Sequence, residues 1–166
     1  IGFTDVNKTI QNTELMSRVM NYASDLDVLI MQHAEDYELS KNSCINEGEV
    51  ATRLGLQGVS DIAEKIIIER DLSLLSKFPC RYHINQISSK NSLEVIKKKK
   101  SNGIKFSTGV SINNLSLNQN DIGEFRTFLK LSPPLRNEED RLSLIEGVKN
   151  DLIDVIVSDH IPEDEE

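Results

Sequence analysis

Short, nearly continuous apolar segments alternate along this chain with amphipathic stretches of helical period, and that alternation restricts the fold more than any other feature. The segments at 27–32 (DVLIMQ), 81–87 (RYHINQI), 104–110 (IKFSTGV) and 152–158 (LIDVIVS) have the β-branched character of strands buried on both faces. A fifth, at 1–4, reads as the tail of another strand. Between them Asn12 is a fair N-cap for a helix through Tyr22. Ser60 caps the longest helix, where Ile62, Ala63, Ile66 and Ile67 form the expected apolar stripe. Ser89 starts a third helix, and Asn137, followed by Glu138, Glu139 and Asp140, starts a fourth that runs through Val148.

Strand–helix alternation of this kind is the signature of a parallel sheet with helical crossovers. An open doubly wound sheet and a closed barrel both satisfy it. The polar residues favour the barrel, because four of these strands end in a side chain able to do chemistry. Asp5 follows IGFT, His33 follows VLIMQ, Gln86 lies within HINQIS, and Asp159 follows DVIVS. Barrel enzymes assemble their sites from several strand C-termini on one face.

A length of 166 residues suits one domain with a real core. The net charge of −8 argues against a nucleic-acid groove. The one basic run, at 97–100, precedes Ser101-Asn102-Gly103 and reads as the last turn of a helix, where cations face the negative end of the macrodipole. No apolar run approaches the roughly 20 residues of a membrane span, and the opening residues lack the pattern of a secretory signal. Cys44 and Cys80 have no CxxC spacing and read as reduced thiols of a cytoplasmic protein. The abrupt apolar start and the acidic run at 163–166 read as cuts through something longer.

Several motifs occur together and in order: HAED at 33–36, NEGEVATRLGLQGVSDIAE at 46–64, ERD at 69–71, YHINQIS at 82–88, SPPLRNEEDR at 132–141 and LIDVIVSDHIP at 152–162. On these the chain resembles the dihydroorotases, zinc amidohydrolases that interconvert carbamoyl aspartate and dihydroorotate in pyrimidine synthesis. The resemblance implies an α/β fold, a parallel (β/α) barrel of the amidohydrolase type. This chain would supply strands four to eight of it, with residues 1–166 forming one partial barrel domain, the second half of the catalytic barrel. The family's first strand carries an HxH pair of zinc ligands and a neighbouring arginine for the substrate carboxylate, and nothing here matches it.

Carried over residue by residue, the resemblance makes Asp5, His33 and Asp159 metal ligands, with Asp159 also the proton shuttle. On strand six the family reads H-x-x-H with the second histidine on the metal. Here the run is His83-Ile84-Asn85-Gln86, so Gln86 replaces that imidazole. The Pro-His-His-Leu stretch after strand seven becomes Ile112-Asn113-Asn114-Leu115, which puts Asn113 and Asn114 at family site positions. The histidine that binds the substrate carboxylate becomes Glu163. An amide oxygen is a poor donor for zinc, so the zinc site is expected to be weakened or lost. Two functions remain open: a dihydroorotase of weak or absent activity, and a non-catalytic scaffold that binds aspartate transcarbamoylase. A third, a related hydrolase for another cyclic ureide or imide, stands behind them, and a homodimer is left open.

Overall fold

The structure, a computed structural model, describes residues 2–161. Asp5 already lies beyond the first strand, β1 (Gly2–Phe3), and helix α1 (Thr13–Leu26) follows. Asn12 caps α1 as expected, its side-chain oxygen accepting from the Leu15 N–H at 2.8 Å. The helix runs four residues past Tyr22, because Asp27 adopts the left-handed conformation (φ 51°) that closes its last turn. Strand β2 (Leu29–Gln32) therefore begins after Asp27, which belongs to the helix stop and not to the strand.

An excursion follows β2, comprising α2 (Tyr37–Ser40), β3 (Ile45–Asn46), α3 (Glu49–Leu54) and β4 (Gly58–Val59). Strands β3 and β4 pair as a separate two-stranded parallel sheet. The main fold resumes with α4 (Ile62–Leu75), β5 (Arg81–Ile84), α5 (Lys90–Ser101) and β6 (Ser107–Ser111). It ends with α6 (Ile112–Ser116), 3-10 turns at Gln119–Ile122 and Thr127–Leu129, α7 (Glu138–Lys149) and β7 (Val155–Val157).

The main sheet is parallel throughout, in the order β1-β2-β5-β6-β7. Parallel neighbours joined by α1, α4, α5 and α7 are the repeating unit of a (β/α) barrel, and five strands make an open arc of one. The principal core lies between the sheet's outer face and these helices. Ile30, Tyr82, Ile84 and Val110 from strands meet Met16, Met20, Ile67, Leu72, Ile96 and Leu144 from helices. A smaller cluster of Ile45, Val50, Ala51, Ile122 and Leu135 ties the β3–β4 excursion to the segment before α7.

Three expectations are corrected by the packing. On α4 the buried face runs through Ala63, Ile67, Ile68, Leu72 and Leu75, whereas Ile62 and Ile66 are 50% and 43% exposed. Glu64 and Asp71 occupy the buried face instead, each held by hydrogen bonds. The strand expected at 104–110 starts only at Ser107, because the Ile104 N–H is still bonded to Lys99 O as the helix ends. Strand β7 is not buried on both faces: Val155 and Ile156 are 42% and 51% exposed, as befits an edge. The basic run does close α5, and Lys100 Nζ also reaches Leu152 O at 3.1 Å and the Asp154 carboxylate at 2.9 Å.

Candidate active site at the mouth of the sheet

Because every strand of the main sheet runs the same way, residues following the strands emerge at one rim. Asp5, His33, Asn85, Gln86, Asn113 and Asp159 all follow their strands within three residues and so share it. Side chains alternate along each strand. Gln32 and Tyr82 point outward, since both hydrogen-bond Asp71 of α4, at 3.4 and 2.7 Å. His33 and His83, one residue on from each, therefore face the inner side. The same layer holds Gly109, where an added Cβ would lie 2.2 Å from Asn85 O. Only glycine lets β5 and β6 approach this closely at the rim.

His33 is 3% exposed. Its Nε2 lies 3.3 Å from Ser132 Oγ and 3.5 Å from Glu35 Oε2. The turn that carries it is fastened to the loop after β1. Thr9 Oγ1 donates to His33 O at 2.7 Å and accepts from the Glu35 N–H at 3.1 Å, and Gln11 Nε2 donates to Glu35 O at 2.9 Å. In the HAED motif Asp36 is structural, capping α2 through Leu39 N–H.

Glu35, Ser132 and Asp159 line one cavity of about 300 Å³, with Asn7 and Lys130 also on its wall. That volume is at the lower end of small-molecule sites. Asp159 is partly buried and sits in the left-handed region (φ 52°). Asp5 is exposed on the rim, its carbonyl closing a turn with Lys8 N–H. The structure thus brings His33 and Asp159 to the same mouth through shared neighbours. Among the described residues, however, no three His, Cys, Asp or Glu side chains are grouped closely enough to hold a metal ion. Of the expected donors, Asp5 is exposed and Gln86 offers only an amide.

The other positions have clear local roles. Asn114 is buried and donates through Nδ2 to Pro134 O at 3.0 Å, clamping the SPPLR segment. Asn113 gives its backbone N–H to Ser111 Oγ at 3.2 Å, capping α6. Glu163 lies outside the described residues. His83, on the inner face, pairs with Ser107 Oγ at 2.8 Å; burial holds its pKa below the ordinary value, with the Asp154 carboxylate pulling the other way.

Behind the rim lies a buried polar network that connects motifs far apart in sequence. Glu64 accepts from the Ser88 N–H at 3.1 and 3.0 Å and the Ser89 N–H at 3.3 Å, and also from the Ser88 hydroxyl. Arg136, 4% exposed, donates to Ser88 Oγ at 3.0 Å, Asn46 Oδ1 at 2.8 Å and Val59 O at 2.9 Å. The loop that carries Gln86 is thereby locked to the β3–β4 excursion and to the start of α7. Sequence reasoning singled out the motifs but gave no role to Glu35, Lys130, Ser132 or Arg136. The signal for Arg136 was a lone arginine after an apolar Pro-Pro-Leu, where a buried cation must find acceptors.

Comparison with known proteins bears on this geometry directly. The family described as Dihydro-orotase-like matches residues 1–92. The chain belongs to the dihydroorotase-like family. It is 44% identical to the dihydroorotase of Ehrlichia chaffeensis over 165 residues, covering 99% of this chain and 37% of that protein. Against the dihydroorotase of Bacillus pumilus it is 40% identical over 165 residues, 99% of this chain and 39% of the relative. The chain therefore spans well under half the length of these dihydroorotases. Among solved structures, the D-hydantoinase (dihydropyrimidinase) from Thermus sp. superposes with a TM-score of 0.76 at 19% identity, over 93% of this chain and 35% of that one. The L-hydantoinase (dihydropyrimidinase) from Arthrobacter aurescens gives 0.76 at 22% identity, over 90% and 34%. These likenesses show the fold. The dihydroorotase-like chain is a partial barrel of the amidohydrolase type.

Proposed function

We propose that the mouth of this sheet takes a dihydroorotate-type cyclic ureide, or its ring-opened form carbamoyl aspartate, and that the chain turns it over weakly or not at all. One observation carries this reading. Asp159 lines a cavity of about 300 Å³ together with Ser132 and Glu35, the two neighbours of the His33 ring, while Gln86 stands where the resemblance calls for a third donor. The cavity supports binding, and the donor set argues against efficient hydrolysis. A bound zinc would supply a water acidified far enough to serve as a nucleophile near neutral pH. Of the residues present, His33 and Asp159 are the ones suited to face it. Asp159 would otherwise act as a carboxylate base, of little use against an unactivated water.

The test is metal content and turnover measured together. Purified chain should carry well under one zinc per molecule and hydrolyse dihydroorotate slowly, and Gln86→His should raise zinc occupancy. A wild-type chain holding a full zinc equivalent, with turnover matching the Bacillus pumilus relative, would overturn the weak-activity reading.

A second reading, a non-catalytic scaffold for aspartate transcarbamoylase, is favoured by a contrast within the molecule. The Glu64–Ser88–Arg136–Asn46 network and the main core are well formed, whereas Gln86, Asn113 and Asn114 stand where the resemblance calls for imidazoles. Co-purification of the two proteins at stoichiometric ratio is the expected result under that reading, and separate elution counts against it.

A further inference from the structure

The motif Glu69-Arg70-Asp71 sets a charged pair against the back of the sheet, away from the mouth. Asp71 lies on the buried face of α4 and is fully buried. A buried carboxylate is tolerated only where donors surround it. Its Oδ1 accepts from Arg70 Nε at 2.8 Å, and its Oδ2 accepts from the Tyr82 hydroxyl at 2.7 Å and from Gln32 Nε2 at 3.4 Å. Burial pushes the Asp71 carboxyl above its ordinary value, and the Arg70 guanidinium pulls it back. Gln32 immediately precedes His33, so one of these donors fixes the strand end from which His33 departs.

Arg70 carries the same pair forward to the rim. While Nε faces Asp71, Nη1 donates to Gln11 O at 2.8 Å, in the loop between β1 and α1. A guanidinium presents its donors in a rigid planar fork, so seating one edge on Asp71 aims the other at the loop. That loop grips the turn after β2. Thr9 Oγ1 donates to His33 O and Gln11 Nε2 to Glu35 O, while Gln11 Oε1 accepts from the Tyr37 N–H at 3.2 Å. His33 is thus held by two sets of contacts that begin at one buried carboxylate. One runs through Gln32 on its own strand, the other through Arg70 and residues 9–11.

We propose that Arg70 and Asp71 are positioning residues of the mouth, their buried pair bracing the loop after β1 against α4 so that His33 keeps its place at the rim. Neither side chain lines the cavity of Glu35, Ser132 and Asp159, so both act through others. Their effect on a ligand rests on the reading that the mouth takes a dihydroorotate-type ring, whereas the placing of His33 does not.

The experiment maps acylation of each histidine of the full chain by diethylpyrocarbonate, read peptide by peptide in a mass spectrometer. The three histidines supply their own scale. His160 is exposed, His83 is 7% exposed beside Ser107, and His33 is 3% exposed. In wild type His160 should react fast and His33 slowly. Arg70→Met should speed His33 at least about tenfold, the shift expected from losing one charge-assisted hydrogen bond, and leave His83 unchanged. Thr9→Val combined with Gln11→Ala cuts the loop from the turn while keeping the buried pair, so it should give the same selective rise even if Arg70→Met does not fold. Both variants should also bind L-dihydroorotate more weakly in calorimetry. His33 reacting at the wild-type rate in the folded variants, or His33 and His83 rising together, would refute the brace. A wild type that binds no dihydroorotate, with His33 released in the variants as expected, would leave the brace standing and end the ring-binding reading.

Discussion

Val6 carries the clearest strain at single-residue scale. It is 70% exposed and holds φ at 61° in the turn after β1, with its N–H given to Thr4 Oγ1 at 3.0 Å. A β-branched residue in the left-handed region costs roughly 1–2 kcal/mol, and glycine adopts it freely. Val6→Gly should therefore raise stability by about 1 kcal/mol, less the extra freedom glycine gives the unfolded chain. Urea unfolding of the two proteins checks this, and an unchanged or lower midpoint would contradict it. His83 gives a pH prediction. Its pKa is held below the ordinary value in the fold by burial, so the unfolded chain binds the proton more readily. The stabilising effect is complete above about pH 6.5 and is lost as pH falls below that. Between pH 7.5 and 5.5 wild type should lose more thermal stability than His83→Gln, whose amide can still pair with Ser107. Equal losses would show that His83 is not the group responsible. At this scale the strand-end residues Asp5, His33 and Asp159 were legible because parallel strands fix where their ends go. Ser132, Lys130 and Glu35 were not, because a partner 99 positions away, as Ser132 is from His33, leaves no periodic trace.

At the scale of the element, local chemistry decided which expectations held. Asn12, Ser89 and Asn137 cap their helices through side-chain bonds to Leu15, Ser92 and Asp140 N–H groups, because capping depends on neighbours three residues away. The face of α4 was misread for the opposite reason. The run Ile66-Ile67-Ile68 is apolar all round, so its period says little. The buried face was set by Glu64 and Asp71, whose hydrogen-bond partners Ser88 and Tyr82 lie on β5 and the loop after it. The small β3–β4 sheet was missed because two-residue strands have no alternation to read. Arg136 tests how far such networks hold elements together. Arg136→Met should leave Ser88 Oγ, Asn46 Oδ1 and Val59 O buried without their donor, at a cost of about 3 kcal/mol. Chemical denaturation measures it, and a loss under about 1 kcal/mol would mean that water or repacking replaces the guanidinium.

For the molecule as a whole, the decisive feature is an arc of parallel strands with two free edges. Among the described residues β1 pairs only with β2, and β7 only with β6. Each edge carries exposed apolar side chains: Phe3 is 60% exposed on β1, and Val155 and Ile156 are 42% and 51% exposed on β7. In a closed barrel such edges do not exist. The family relationship and the superposition on hydantoinases agree on the barrel type, while the chain covers only about a third of those structures. Unpaired backbone donors and acceptors beside exposed apolar residues template the addition of further strands. This chain on its own should therefore associate with itself as concentration rises. Sedimentation should show a shift toward larger species, and Phe3→Lys combined with Ile156→Lys should suppress it, since an edge lysine cannot enter an apolar strand pair without losing its hydration. The paired change touches neither the principal core nor the rim, so the fold should survive in the monomer. A wild-type chain that stays monomeric across the accessible range would show that both edges are already satisfied, and the open-arc account of its surface would fail.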